Sequence, residues 1–194
     1  MSTIEGGIIC TSNKELSNMI RMVRSHGWDR HLDHEDRTKL RNDLNIDDFY
    51  GAYTFYTLGY NLRPTDIQGF IGLFQLQFID EANHKRQTNF IRIKDVILKN
   101  KDISTPDMDV PAFAIPIMCK TAEIKNSYVD KCKRAGIEIR PIVAGNMNRQ
   151  PFFKQYITSD ELVNAETVHN LGFYLPNHPD LTDDDIAYIC NIFI

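Results

Sequence analysis

From Ala112 to the C-terminus, short apolar runs alternate with capped, polar-faced stretches. That alternation restricts the region to a small α/β unit. Ala112–Met118 reads as a buried strand, Thr121–Ala135 as a helix closed by Gly136, and Ile137–Val143 as a second strand. Ser159–Leu171 follows as a helix closed by Gly172, and Phe173–Leu175 as a short strand. Thr182 caps a last helix whose Ile186, Ile189, Cys190 and Phe193 share one face. About 80 residues suffice for one modest core. Ahead of this unit, Asn100–Pro111 is polar, carries two prolines and reads as a linker. The expected division is therefore 1–100, a linker over 101–111, and a C-terminal α/β domain over 112–194.

The first hundred residues are less regular. Gly6-Gly7 leads into Ile8-Ile9-Cys10-Thr11, an apolar run that suggests a buried strand. Ser12-Asn13-Lys14-Glu15 opens a helix with Leu16, Met19, Ile20 and Val23 on one face, stopping at Gly27. Trp28–Asp48 has no apolar period and reads as a loop, long enough to suggest a functional one. Phe49–Leu58 is aromatic and β-prone. Thr65 and Gln68 form a capping box for the strongest helix, with Ile67, Phe70, Ile71, Phe74 and Phe78 as its stripe. Gly69 and Gly72 weaken that helix by about 1 kcal/mol each relative to Ala and suggest close approach of another backbone. An unbroken helix to Asn100 would be roughly 54 Å long, so a break is expected near Asp80–Asn83.

Charge and cysteine usage narrow the function classes. Lys plus Arg is 22 and Asp plus Glu is 26, for a net charge of −4. That argues against a broadly basic nucleic-acid binder and leaves room for a local anion site. No apolar run approaches the ~20 residues of a membrane span, and the N-terminus lacks the pattern of a signal peptide. The four cysteines are scattered without a CxxC, which suggests a reduced, cytoplasmic protein.

Several residue groups invite a chemical reading. His31-x-x-His34 lies among charged residues without a defined metal-ligand set, so exposed histidines are expected and no metal site is assigned. Asp183-Asp184-Asp185 occupies a helix's first turn, where negative charge favours the dipole; capping is expected there. No serine-nucleophile or glycine-rich phosphate motif occurs. Gly59-Tyr60-Asn61-Leu62-Arg63-Pro64-Thr65 places an amide and a guanidinium just before a helix start. Such a place receives anions, or is simply a capped turn. Arg140-Pro141 through Gln150-Pro151 puts two arginines and Asn146 at the end of an expected strand, where a ligand crevice or a plain surface turn would fit.

Taken together, these stretches resemble the DegT/DnrJ/StrS family of pyridoxal phosphate (PLP) dependent sugar aminotransferases and related sugar 3-dehydrases. Glu5-Gly6-Gly7 through Thr11 resembles its E-G-G segment, and Arg24-Ser25-His26-Gly27 its R-x-H-G helix end. Gly59–Gln68 resembles the G-Y-N-x-R helix entry, and Gly136–Pro151 with Gly172-Phe173-Tyr174 the C-terminal domain. The resemblance covers essentially the whole chain. It implies an α/β fold, the C-terminal portion of a fold-type I PLP-dependent transferase: the end of the large domain plus the small domain.

The same resemblance implies site residues. Asn61 matches the asparagine that reaches the PLP phosphate of the neighbouring subunit in a dimer. Arg63, Arg140 and Asn146 lie in segments that line the sugar-nucleotide cleft. The lysine that holds the cofactor, or the histidine that replaces it in the dehydrase branch, falls two residues upstream of Met1, so no catalytic residue is assigned within the chain. The expected partners are a second copy or the missing N-terminal half, with no nucleic acid and no membrane. Three readings stay open: part of a nucleotide-sugar aminotransferase or 3-dehydrase, inactive alone; a non-catalytic binding or dimerisation module; and a stand-alone enzyme using Lys14.

Overall fold

The C-terminal alternation folds around one short strand. In the computed structural model, which describes residues 2–143, 145–156 and 162–194, contacts divide the chain into Met1–Gln77 and Phe78–Ile194. The division falls ahead of the linker suggested by composition.

In the second unit, β1 (Ile103–Ser104), β2 (Ala114–Cys119) and β3 (Gly172–Pro176) form an antiparallel sheet in the order β1-β2-β3. Ile117 lies opposite Phe173 and Ile115 opposite Leu175. All four are essentially buried, as the two-residue period of a strand requires. Pro116 sits in the central strand, where a missing N–H is usually costly. Its partner Tyr174 directs its own N–H and C=O to Arg140 on the other side. On the opposite flank β1 pairs only with Met118 and Cys119. Pro116 therefore forfeits no ladder bond.

Helices α5 (Ile79–Ile97), α6 (Ala122–Arg134), α7 (Val163–Leu171) and α8 (Asp183–Asn191) belong to this unit. Thr121 caps α6, and Thr182 with Asp185 makes a reciprocal capping box on α8. Phe90, Ile93 and Ile97 of α5 join Ile115, Ile117, Leu175, Ile186 and Phe193 in one core. Residues assigned by sequence to the first hundred thus complete the C-terminal core. The strand expected over Ile137–Val143 shrinks to a single bridge between Arg140 and Tyr174; Ile142 O accepts from Gly145 N–H, so the chain already turns there. The helix expected from Ser159 is described from Val163 on; residues 157–161 lie outside the described residues.

In the first unit, α1 (Lys14–Arg24) is capped by Asn13, one residue beyond the expected Ser12. The expected strand at Ile8–Thr11 is extended but has no paired neighbour among the described residues. The expected loop after Trp28 contains α2 (His34–Asp43). No residue of α2 is buried, so apolar periodicity could not reveal it; it is built from acidic residues in its first turn and Arg41 in its last. The β-prone stretch opens instead with the short α3 (Asp48–Gly51), capped by Asp47. Helix α4 (Asp66–Leu76) carries the expected Thr65–Gln68 capping box. It ends at Leu76 and α5 begins at Ile79, so the break comes slightly before Asp80.

Candidate functional site: a cation cluster beside Asn61

The end of α1 and the approach to α4 are bound together through their backbones. Ser25 closes α1, and His26 and Gly27 turn through positive φ, 60° and 87°. Residues 56–62 return against this turn. Tyr60 N–H donates to Val23 O (2.7 Å), His26 N–H to Tyr60 O (2.7 Å), Leu62 N–H to Arg24 O (2.9 Å) and Tyr56 N–H to Gly27 O (2.8 Å). Ser25 and Asn61 form an antiparallel bridge. A Cβ on Gly27 would stand 1.8 Å from Thr57 O, and one on Gly59 2.3 Å from Gly27 N. Only glycine permits this approach. The two glycine-containing motifs are therefore halves of one structure.

Asn61 leaves that bridge with its side chain exposed, its Oδ1 accepting from Arg63 Nε at 3.2 Å. Arg63 lies 5.7 Å from the Trp28 ring centroid. Arg30 lies closer, at 3.8 Å, and also faces Tyr53 at 4.5 Å while donating to Ala52 O. His26 meets Trp28 edge-on at 4.6 Å. Burial first, and then Arg24, Arg63, Arg30 and Arg21, hold the His31 imidazole below its ordinary pKa. Of these arginines, Arg21 is paired with Asp33. Arg24, Arg30 and Arg63 meet no carboxylate among the described residues. Arg24 Nε and Trp28 Nε1 are buried without a hydrogen-bond partner among those residues.

A buried ion pair holds this cluster from behind. Asp29 is fully buried. Arg41 donates to it through Nε (2.7 Å) and Nη2 (3.2 Å), and Tyr56 through its hydroxyl (3.2 Å). Asp29 raises the Arg41 pKa further; burial and then Asp29 raise that of Tyr56. These bonds anchor the backbone between Trp28 and Arg30.

The other two sequence candidates lie in the second unit. Arg140 is exposed and paired with Glu138, Nη2 to Oε1 2.6 Å. Asn146 is buried and committed: Nδ2 donates to Glu166 Oε2 (2.8 Å), Oδ1 accepts from Asn148 N–H (3.0 Å), and its own N–H donates to His169 Nδ1 (3.2 Å). Asn146, Arg149 and Asn170 converge on Glu166 and hold its carboxyl down at about 2. Gly145 has positive φ, and a Cβ there would meet His169 Nδ1 at 2.3 Å. Asn61 and Arg63 thus come together, whereas Arg140 and Asn146 belong to a separate local structure.

Trp28, Arg24 and Arg30 were missed as a group by sequence reasoning. The signal was there in Arg24-Ser25-His26-Gly27-Trp28-Asp29-Arg30, but nothing local joins it to Asn61. Lys14 is ion-paired with Asp36 at 2.9 Å and its pKa is raised, which keeps the amine protonated. His31 and His34 are both exposed, and no cluster of three metal-ligating side chains occurs among the described residues. No helix among the described residues is long and apolar enough to cross a membrane.

Comparison with known proteins places these motifs. The DegT/DnrJ/EryC1/StrS aminotransferase family matches residues 1–194. The GDP-4-keto-6-deoxy-D-mannose 3-dehydratase of Yersinia pseudotuberculosis is 29% identical over 99% of this chain and 50% of its own. The GDP-perosamine synthase of Caulobacter vibrioides is 26% identical over 96% of this chain and 46% of its own. The structure of the E. coli GDP-4-keto-6-deoxy-D-mannose 3-dehydratase with bound hydrated PLP superposes with a TM-score of 0.83 at 26% identity, covering all of this chain and 51% of that one. The chain spans about half the length of the curated relatives it matches.

Proposed function

The chain belongs to the DegT/DnrJ/EryC1/StrS aminotransferase family, and from that premise we propose that it is the C-terminal portion of a nucleotide-sugar 3-dehydratase or aminotransferase. Its cation cluster binds the phosphoryl groups of that chemistry. The observation that carries this reading is the trio Arg24, Arg30 and Arg63, uncompensated by carboxylates among the described residues: Arg30 and Arg63 lie by Trp28, Asn61 meets Arg63, and all three arginines act on His31. Guanidinium groups present several donors in a fixed fork suited to phosphate. Trp28 offers a flat apolar wall beside them.

Bound PLP would supply an electron sink. The residues of this chain fit its phosphate end. Asn61 can turn its amide donors to the anion, Arg63 adds charge, and α4 begins close by at Asp66. Arg24 and Arg30 would orient a sugar-nucleotide diphosphate. In the second unit, Arg140 is a candidate anion contact in its own right, and Asn146 would position the loop that follows it. Within the chain, Lys14 is a poor proton carrier because Asp36 keeps it charged. Chemistry therefore depends on the other half of the fold, and the soluble partners are that half or a second copy. Lys14's ion pair also favours a second reading, a binding module without turnover.

The test is direct titration of the chain with inorganic pyrophosphate. Trp28 is the only tryptophan, so its fluorescence reports the site. Saturable, salt-sensitive binding is expected, with Arg30→Ala and Arg63→Ala each weakening it at least tenfold. A charge-assisted hydrogen bond contributes ~1.5–3 kcal/mol, and 1.4 kcal/mol is tenfold. Absence of binding, or binding indifferent to both substitutions, overturns the assignment.

A further inference from the structure

The turn over residues 145–149 is fastened to α7 by two acceptors of different kinds. Glu166 accepts from Asn146 Nδ2 and from Arg149 Nε and Nη2, and Asn170 Nδ2 reaches the same carboxylate. One turn further along the helix, His169 takes the backbone: Asn146 N–H donates to its Nδ1 at 3.2 Å. Among the described residues this is the ring's only hydrogen bond. A backbone N–H can only donate, so Nδ1 must offer its lone pair and the neutral imidazole carries its proton on Nε2. Gly145 closes the space on the same side of the ring. Its φ is 56°, and a Cβ there would stand 2.3 Å from Nδ1 and 3.1 Å from Cγ. An imidazolium would point a second N–H at that of Asn146, with no acceptor between them and the Gly145 backbone already against the ring.

We propose that His169 is a proton-operated latch: the neutral ring holds the Gly145–Asn146 backbone against α7, and protonation at Nδ1 releases it. The groups around the ring leave that role to it. Glu166 lies one turn earlier on α7 and is held at about 2 by Asn146, Arg149 and Asn170. From α6, Lys125 donates through Nζ to His169 O at 3.2 Å. On β2, burial pushes the Cys119 thiol up to about 11. Tyr174 of β3 is engaged by Arg140. Neither the Glu166 carboxyl nor the Cys119 thiol changes charge between those two values. His169 therefore acts on one peptide group while Glu166 keeps the side chains of Asn146 and Arg149, and the two releases are separate events.

The latch depends only on geometry within the second unit and stands whether or not the cation cluster binds pyrophosphate. NMR of the full chain tests it. The ring nitrogens of His169 and the exchange of the Asn146 amide, corrected for its intrinsic pH dependence, are followed through one pH titration. The neutral ring is expected as the Nε2–H tautomer. Exchange at Asn146 should quicken at least tenfold, with the same midpoint as the ring's own titration. His169→Asn supplies an acceptor that takes up no proton, so it should keep Asn146 protected and abolish the step. His169→Phe removes the acceptor and should leave Asn146 unprotected at every pH. Unchanged exchange at Ile117 and Phe173 of the sheet verifies that each variant is folded; if His169→Phe does not fold, His169→Asn decides alone. An Nδ1–H tautomer in the neutral ring, exchange at Asn146 that ignores the ring's titration, or a step that survives in His169→Asn overturns the proposal.

Discussion

Asp29 is fully buried, and its carboxyl accepts hydrogen bonds from Arg41 and Tyr56. Removing one partner of a buried pair leaves the other's charge uncompensated. Asp29→Ala should therefore destabilise the first unit by about 3 kcal/mol, measured by urea unfolding. It should also loosen Trp28 and Arg30 on either side and weaken pyrophosphate binding. Asn61→Asp tests a different property. The new carboxylate would pair with Arg63 and repel a phosphate, so pyrophosphate affinity should fall tenfold or more, while unfolding of this exposed site changes little. Glu166 gives the pH dependence. Its carboxyl is held at about 2 by Asn146, Arg149 and Asn170, against ~4.3 in an unfolded chain. A depressed pKa contributes stability above the unfolded value and loses it as pH falls toward the folded one. The turn at Gly145–Arg149 should therefore hold at neutral pH and open between about pH 4.5 and 2. Hydrogen exchange across that range measures it, and Glu166→Gln should remove the acid transition.

At the scale of elements, charge pairs and backbone contacts decide what apolar periodicity cannot. Helix α2 has no buried residue, and its Arg41 is the link to Asp29. The junction of α1 with residues 56–62 depends on glycines at 27 and 59. Gly27→Ala would press a Cβ into Thr57 O at a positive φ. It should cost more than about 1 kcal/mol, and pyrophosphate binding should fall with it because the bridge to Asn61 shares that turn. Thermal unfolding and the Trp28 titration check both effects. The Thr65–Gln68 box was legible in the sequence, as were Thr121 and Thr182, because a cap is a contact across three residues.

For the whole molecule, the unit boundary is the consequential difference from the sequence reading. Phe90, Ile93 and Ile97 of α5 are buried with the strands and helices that follow. Residues 78–194 expressed alone should unfold cooperatively, whereas residues 112–194, without α5, should lack a closed core and bind hydrophobic dye. Circular dichroism with denaturant, compared between the two fragments, gives the result. A stable, cooperative 112–194 fragment would restore the boundary that composition suggested.

Local physics made much of this protein readable from its residues. The capped helices, the buried strand over most of Ala112–Met118 and the final amphipathic helix all follow from contacts within a few positions, and the motif order pointed to the family. The tertiary structure decided the rest. Asp29 finds Arg41 12 positions away and Tyr56 27 positions away, and α5 completes a core whose last member is Phe193. The segments carrying Arg24 and Arg63 come together only because two glycines let separate backbones touch. The apolar run at Ile8–Thr11 shows the same limit from the other side. Its composition is that of a strand, but a strand needs a neighbour to accept its hydrogen bonds, and no local pattern says where that neighbour is.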